Sequence, residues 1–409
     1  MTFILYLLLA ILILLFMVLV HEFGHYIIGR LLNFKITEFS IGFGKALFSR
    51  VNKRGELISL RIFPLGGYCA FAGEEETDKD KKEAFTNQAP WKRILVFLAG
   101  VTFNFATAVI FSLILLCTIG YDIPQVKKMT DVADFSSKYE IKNIIDVYSP
   151  IIPTEEQLQS GDVIISIDGE KIDFAYGENY NSLISERAKQ LNGDVYYLVQ
   201  GSSELMVNFD EKESNKKPLT QEEFDKLAVM NAVVKRNGEY ENVKISFYRV
   251  EVGVTDKDGN LIEGQSNYVY VWNTSVKAYV HTFAEGLKRA VPFAFGLAFT
   301  VLKSFWLLIT FQLPISAIGG PITTISTIAT VTQASFSNIL LLIPLISANL
   351  AVFNILPIPA LDGAHVLFTT IEAIRKKPIK RETENLIHTI GLLILFGAVI
   401  LIDILHFIL

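Results

Sequence analysis

Residues 1–25 read MTFILYLLLAILILLFMVLVHEFGH. The stretch up to Val20 carries no charged side chain and has about the ~20 residues a helix needs to cross a bilayer. A secretory signal peptide is the rival reading, but there is no basic start, the apolar run is too long, and no small-residue cleavage site ends it. On a helix, His21 and His25 lie about 40° apart around the axis, so both imidazoles face one way with Glu22 beside them. An unpartnered glutamate at the end of an apolar span is expensive. Two imidazoles suit Zn²⁺, and a third protein ligand would leave one position for a water whose proton Glu22 takes as general base.

Working outward, the whole chain has a membrane protein's composition: 409 residues, 51% hydrophobic and 19% charged, with a mean hydropathy of +0.39. Ile94–Ile119 is a second charge-free run, and Leu386–Ile402 is the last, preceded by a basic cluster from Arg375 to Arg381. Between them, Ser304–Leu361 holds 58 residues without Asp, Glu, Lys, Arg or His. Gly319-Gly320-Pro321 interrupts any helix there, and the crossing segment is placed at Asn338–Ile355.

Basic loops set the orientation. The segment between the first two spans carries 12 Lys and Arg, and it and the cluster before the last span are expected on the cytoplasmic side. Residues 121–289 hold 19 Lys and Arg against 28 Asp and Glu, a charge of −9, while the remainder sums to +4; the acidic part is therefore expected outside. Parity then requires Val291–Gln312 to lie along the surface, or to dip in and return. The expectation is an α-helical polytopic protein of the cell (inner or plasma) membrane with about four transmembrane helices, both termini outside, and an extracytoplasmic α+β domain. The acidic middle argues against nucleic acid as a partner. Cys69 and Cys117 form no CxxC pattern, so neither a disulfide framework nor a thiolate zinc site is expected.

A third metal ligand should be another rare polar group at the same depth. After the long uncharged stretch the first ionisable residue is Asp362, in Asn354-Ile355-Leu356-Pro357-Ile358-Pro359-Ala360-Leu361-Asp362-Gly363-Ala364-His365. Both its span and the first run inward, which brings Asp362 and HEFGH to the same side of the membrane. The plainer reading is that Asp362 caps the helix that follows; the two roles are compatible. His365 is a competing ligand, whereas His388 and His406 read as interfacial side chains. A metal transporter would need polar residues stepping through several spans, but here they converge at one depth. An inactive homologue that binds peptides without cutting them is the remaining alternative, which the full set His21, Glu22, His25 and Asp362 argues against.

With HEFGH at the end of one span and N-x-x-P-x-P-x-L-D-G at the end of another, the chain resembles the site-2 protease family of intramembrane zinc metalloproteases, in its bacterial PDZ-containing form. Further matches are Gly42-Phe43-Gly44, Pro64-Leu65-Gly66-Gly67-Tyr68, Leu98-Ala99-Gly100 with Asn104, Gly320-Pro321 and Asn354. Val101 stands where the family usually has proline, and Ala364 replaces the second glycine of LDGG. The resemblance implies that His21, His25 and Asp362 are zinc ligands and Glu22 the catalytic base. It also implies that substrates are transmembrane segments of single-pass proteins, such as anti-sigma factors and remnant signal peptides.

Such a substrate must be unwound before it can be cut, and unpaired backbone in lipid is costly. Leu57–Ala72 reads as a strand, a Pro/Gly turn and a second short strand that could add to an extended substrate; the family has a substrate-binding β-loop at this place. Gly66, Gly67 and Tyr68 are the contacts expected there, with Asn354 and Asn104 bonding substrate backbone, although membrane asparagines also tie helices together. An ordinary cytoplasmic hairpin is the plainer alternative.

In the outer region, Gly161-Asp162-Val163-Ile164-Ile165-Ser166-Ile167-Asp168-Gly169 resembles the signature of a PDZ domain, which binds chain ends by strand addition. The family suggests a size filter; a structural cap is equally open. Asp210-Glu211-Lys212-Glu213-Ser214-Asn215-Lys216-Lys217-Pro218 reads as an exposed linker inside an insertion near 173–231. Val233–Phe247 resumes as a strand, an Asn-Gly turn and a strand. The division is therefore 1–120, a first membrane half; 121–285, one PDZ-like domain; and 286–409, a second membrane half.

Overall fold

The computed structural model describes residues 2–74, 83–129, 144–172, 219–255, 261–272, 274–312, 319–377 and 379–408, with short pieces between 180 and 196. The expected linker 210–218 lies outside the described residues. The chain forms two compact units, one from Met1–Leu115 with Phe283–Leu409, the other from Leu116–Thr282.

In the first unit, helix α1 (Thr2–Leu31) continues nine residues past Glu22 to its end beyond the apolar run. Asn33, at φ 63°, stops it. Phe34 N–H bonds Gly29 O and Asn33 N–H bonds Arg30 O, the pairing of a Schellman cap, with asparagine tolerating the left-handed position. The chain then runs through two long antiparallel strands, β1 (Ile36–Val51) and β2 (Leu57–Phe71). The expected turn at Pro64–Gly67 is absent: β2 passes straight through, because Gly66 adopts φ 142° and Gly42 and Gly44 opposite it adopt 85° and 86°, absorbing the register shifts as bulges rather than as a reversal. Ser40 is paired with both Tyr68 and Ser59, so the two-stranded sheet curls on itself. Inside the curl, Glu38 accepts bonds from Ser59 Oγ and Arg61 Nη2. Burial alone would raise the Glu38 carboxyl, but those bonds hold it below its ordinary value. Helix α2 (Pro90–Thr118) leads out.

The second unit is one nine-stranded sheet with a small helix. Its strands are β3 (Pro124–Met129), β4 (Ile144–Tyr148), β5 (Val163–Ile167), β6 (Glu170–Lys171) and β7 (Asp194–Tyr196). After α3 (Gln221–Ala228) come β8 (Val229–Arg236), β9 (Glu239–Thr255), β10 (Leu261–Trp272) and β11 (Thr274–Ala278). The order is β11-β3-β5-β8-β9-β10-β7, with β4 on β9 and β6 on β5. β5 and β8, separated in sequence by the insertion, are neighbours. Period-two alternation sends Met230, Ala232 and Val234 inward with Val243, Ile245 and Phe247 of β9. Their hairpin turns on Asn237-Gly238 at φ 51° and 93°, as expected for a two-residue turn that needs positive φ twice.

Asp162, at the start of β5, is 1% exposed and receives both Nε and Nη2 of Arg236 at 2.8 and 2.7 Å. Arg236→Ala should strand that carboxylate and cost about 3 kcal/mol, the range for breaking a buried ion pair, measurable as a fall in the midpoint of thermal unfolding.

Helices α4 (Phe283–Ile309), α5 (Pro321–Ala334), α6 (Ile339–Ile355), α7 (Asp362–Arg375) and α8 (Arg381–Ile408) complete the first unit. Among the described residues, five helices are long and apolar enough to cross a membrane, where about four spans are expected. One of them is α4: the stretch from Val291, expected to lie along the surface or to dip in and return, belongs to a 27-residue helix whose Glu285, Lys288 and Arg289 crowd its first two turns, with Lys303 the one other charged residue along it. Ala10, Ile13 and Met17 of α1 pack with Ile328 and Ala329 of α5 and Leu342 and Ile343 of α6. α5 starts at Pro321 with no cap of its own; Asp403 of α8 accepts the N–H groups of Ile322 and Thr323 at 3.1 and 3.2 Å, satisfying donors that an apolar environment leaves orphaned.

Candidate metal centre

One turn apart on α1, the Nε2 atoms of His21 and His25 lie 3.2 Å from each other, and both side chains are buried. Asp362 is the first residue of α7, with Leu361 in the cap position. Its carboxylate is turned to the histidines instead of capping: Oδ2 is 2.9 Å from His21 Nε2 and 3.4 Å from His25 Nε2. α7 is pinned to the start of α2 by Arg93 Nη1 on Glu372 Oε2 at 2.8 Å, both largely buried.

What surrounds the imidazoles decides which nitrogens are free. His25 Nδ1–H donates to Val96 O on α2 at 2.8 Å, leaving a lone pair on Nε2. His21 Nδ1 lies 3.1 Å from the amide of Asn104, which is 0% exposed and whose Oδ1 has no partner among the described residues. Turning that amide by 180°, an orientation that the bonding network decides, satisfies the oxygen with Nδ1–H and leaves His21 Nε2 with a lone pair as well. Asp362 Oδ2 has no hydrogen-bond partner among the described residues. Three lone-pair atoms thus converge without a donor between them. For tetrahedral zinc with ligand bonds near 2.0–2.2 Å, neighbouring donor atoms stand about 3.3 Å apart, which the distances of 2.9, 3.2 and 3.4 Å match. The residues present fit the ion.

Glu22, half-buried, follows His21 on α1 and faces β2. Gly67 lies against it: a Cβ there would stand 3.3 Å from Glu22 Cγ. Of the residues expected to meet substrate, Gly67 is therefore beside the expected base, and Gly66 and Tyr68 are on the same strand. Tyr68 stacks on Phe43 and takes the Arg61 guanidinium over its ring at 5.6 Å. Asn354 is half-buried, 3.5 Å from His21 Nδ1. Asn104 sits behind the same imidazole, not on an open surface. His365 stays out of the cluster, stacked between Phe97 and His388 at 4.9 and 4.1 Å.

Gly100 carries no chemistry; the resemblance through Leu98-Ala99-Gly100 marks it, but not its role. A Cβ there would lie 2.5 Å from His21 Cε1 and 2.6 Å from His25 Nε2. α2 backbone therefore lies directly over both imidazoles. Gly100→Ala should push the rings apart and lose both zinc and activity by more than tenfold, while the smaller shift at Gly397→Ala, in open space, changes neither; metal content of the purified chains checks it.

Buried imidazole and carboxylate donors borne on apolar helices define a class, the multi-pass membrane zinc metalloproteases. The chain belongs to peptidase family M50, whose family model matches residues 9–398. It is 26% identical over 392 residues to a candidate zinc metalloprotease of Rickettsia conorii, covering 94% of this chain and 93% of that one. A similar protein of Mesorhizobium japonicum is 28% identical over 396 residues, 92% and 91% of the two chains. The regulator of sigma E protease of Haemophilus influenzae is 24% identical over 436 residues, 93% and 94%.

Proposed function

We propose that the protein cuts transmembrane segments of single-pass membrane proteins inside the bilayer, with His21, His25 and Asp362 holding zinc and Glu22 acting as the base. The convergence of three undonated lone pairs at the inner end of an apolar helix carries this reading. Zinc, when bound, acidifies a water molecule and polarises the scissile carbonyl. Glu22 would take a proton from the attacking water as the new C–O bond forms, and then give it to the amine nitrogen as the C–N bond breaks. Asn104 fixes the His21 ring, as Val96 O fixes His25.

The unwound substrate lies along β2 near Gly66–Tyr68, where the strand already touches Glu22; addition to a strand replaces helical hydrogen bonds that lipid cannot supply. Asn354, on the open side of His21, bonds the substrate backbone. The Leu116–Thr282 unit is a PDZ-like domain outside the membrane that admits substrates already shortened there. α4 and α5 enter and return together, which keeps both basic loops on the cytoplasmic side. Anti-sigma factors and remnant signal peptides are the substrate types this arrangement suits.

The test is purification with zinc quantification, then cleavage of a panel of tagged single-pass segments with and without chelator. Chelator-sensitive cuts inside the apolar segments are expected. Stoichiometric zinc with no segment cut would sink the proposal.

A further inference from the structure

We propose that His388, on α8, is a positioning residue for the metal centre: its Nδ1 accepts the Ala360 N–H and so holds the loop that presents Asp362. The proposal rests on Asp362 being a zinc ligand. The bond measures 2.9 Å. Ala360 stands two residues before Asp362 at φ 78°, a left-handed conformation that strains any residue bearing a Cβ and persists only where its surroundings enforce it. Almost one helical turn beyond His388, Gly391 lies directly against Pro359, so closely that a Cβ there would collide with the proline ring. One face of α8 therefore meets the loop at two successive points. The imidazole is itself clamped by α7, the helix Asp362 begins: His365 stacks on it at 4.1 Å and 12°, and Phe368 meets its edge at 5.5 Å.

Accepting at Nδ1 puts the proton of the neutral ring on Nε2, and that atom is buried with no hydrogen-bond partner among the described residues. A phenyl ring would stack as well without leaving a buried N–H unpaired, so the feature only imidazole supplies here is the Nδ1 acceptor. A second metal ion is the competing use, since His365, Glu384 and His388 each bring a donor atom within 4.8 Å of the others. Ring geometry rules against it. Lone pairs lie in the ring planes, two planes stacked within 12° cannot both aim at one ion, and the Nδ1 lone pair of His388 is already engaged by Ala360.

Three variants of the full-length protein separate the acceptor from the packing. His388→Phe keeps the stack and removes the acceptor. His388→Asn places a carbonyl oxygen near the Nδ1 position, and His388→Gln reaches to the Nε2 position instead. Zinc affinity by chelator competition, with kcat and KM on a cleaved segment, should show Phe and Gln about 10–100-fold weaker in zinc binding and reduced in kcat with KM nearly unchanged. Asn should stay within about threefold of the wild type, well short of the loss of an outer partner. Wild-type zinc affinity in the Phe or Gln variant overturns the proposal, as does equal loss in all three. If Asp362→Asn keeps wild-type affinity, the ligand assignment itself fails; if it loses zinc while His388→Phe does not, only the role of His388 fails.

Discussion

Glu22→Gln should keep its zinc at the wild-type level and cleave on the order of 10³-fold more slowly, within the range of about 10²–10⁴ that general acid–base groups contribute. The substitution is nearly isosteric. A glutamine keeps the same Cγ beside Gly67 of β2, so the helix and strand stay in register, but the amide cannot take a proton from water. His21, His25 and Asp362 are untouched, which is why metal content should not follow activity. Metal analysis and turnover on the same preparation check both halves; full turnover by the variant would remove Glu22 from its role.

Asp362→Asn should give the opposite signature, with metal lost first and activity following. The change removes the only negative charge among the three donors, where Oδ2 lies 2.9 and 3.4 Å from the imidazole nitrogens, and leaves a neutral oxygen with half the occasions to bind. Loss of an outer-shell partner costs about 10–100-fold in metal affinity; loss of a charged ligand should exceed that. Added zinc should restore part of the cleavage in this variant and none in Glu22→Gln. Retention of stoichiometric zinc against a chelator by Asp362→Asn would take the carboxylate out of the ligand set.

The elements legible in the sequence were those governed by local rules. An i, i+4 histidine pair in an apolar run predicts a shared helical face, the single ionisable residue after a long uncharged stretch stands out by cost alone, and Asn237-Gly238 predicts a two-residue turn. The rest depends on partners distant in sequence. Pro64–Gly67 looks like a reversal when read alone, yet Gly42 and Gly44 across the sheet turn it into a bulged strand. Residues from Val291 leave a surface and a re-entrant course open when read alone, and the charges at 285–289 mark one end of the longer helix they belong to. Asn104, expected at the substrate, sits behind His21, since no sequence rule says which side of a helix another helix will cover. His388, read as interfacial, proves to be a backbone acceptor for the same reason. In the sequence Asp362 reads as a ligand that can also cap the helix after it, and the structure puts its carboxylate 2.9 Å from His21 Nε2.

α1 runs from Thr2 to Leu31 without proline or break, about 45 Å at 1.5 Å per residue, against roughly 30 Å of hydrocarbon in an ordinary bilayer. The charge-free run to Val20 matches that thickness, so the histidines stand where the run ends. Because His21 and His25 ride on that helix with no hinge between them and the lipid-facing start, bilayer thickness and the depth of the histidines are geared together. On the proposed function, changing the lipid thickness should therefore shift which bond of a substrate segment is cut, read by mapping the cleavage site in thin and thick bilayers.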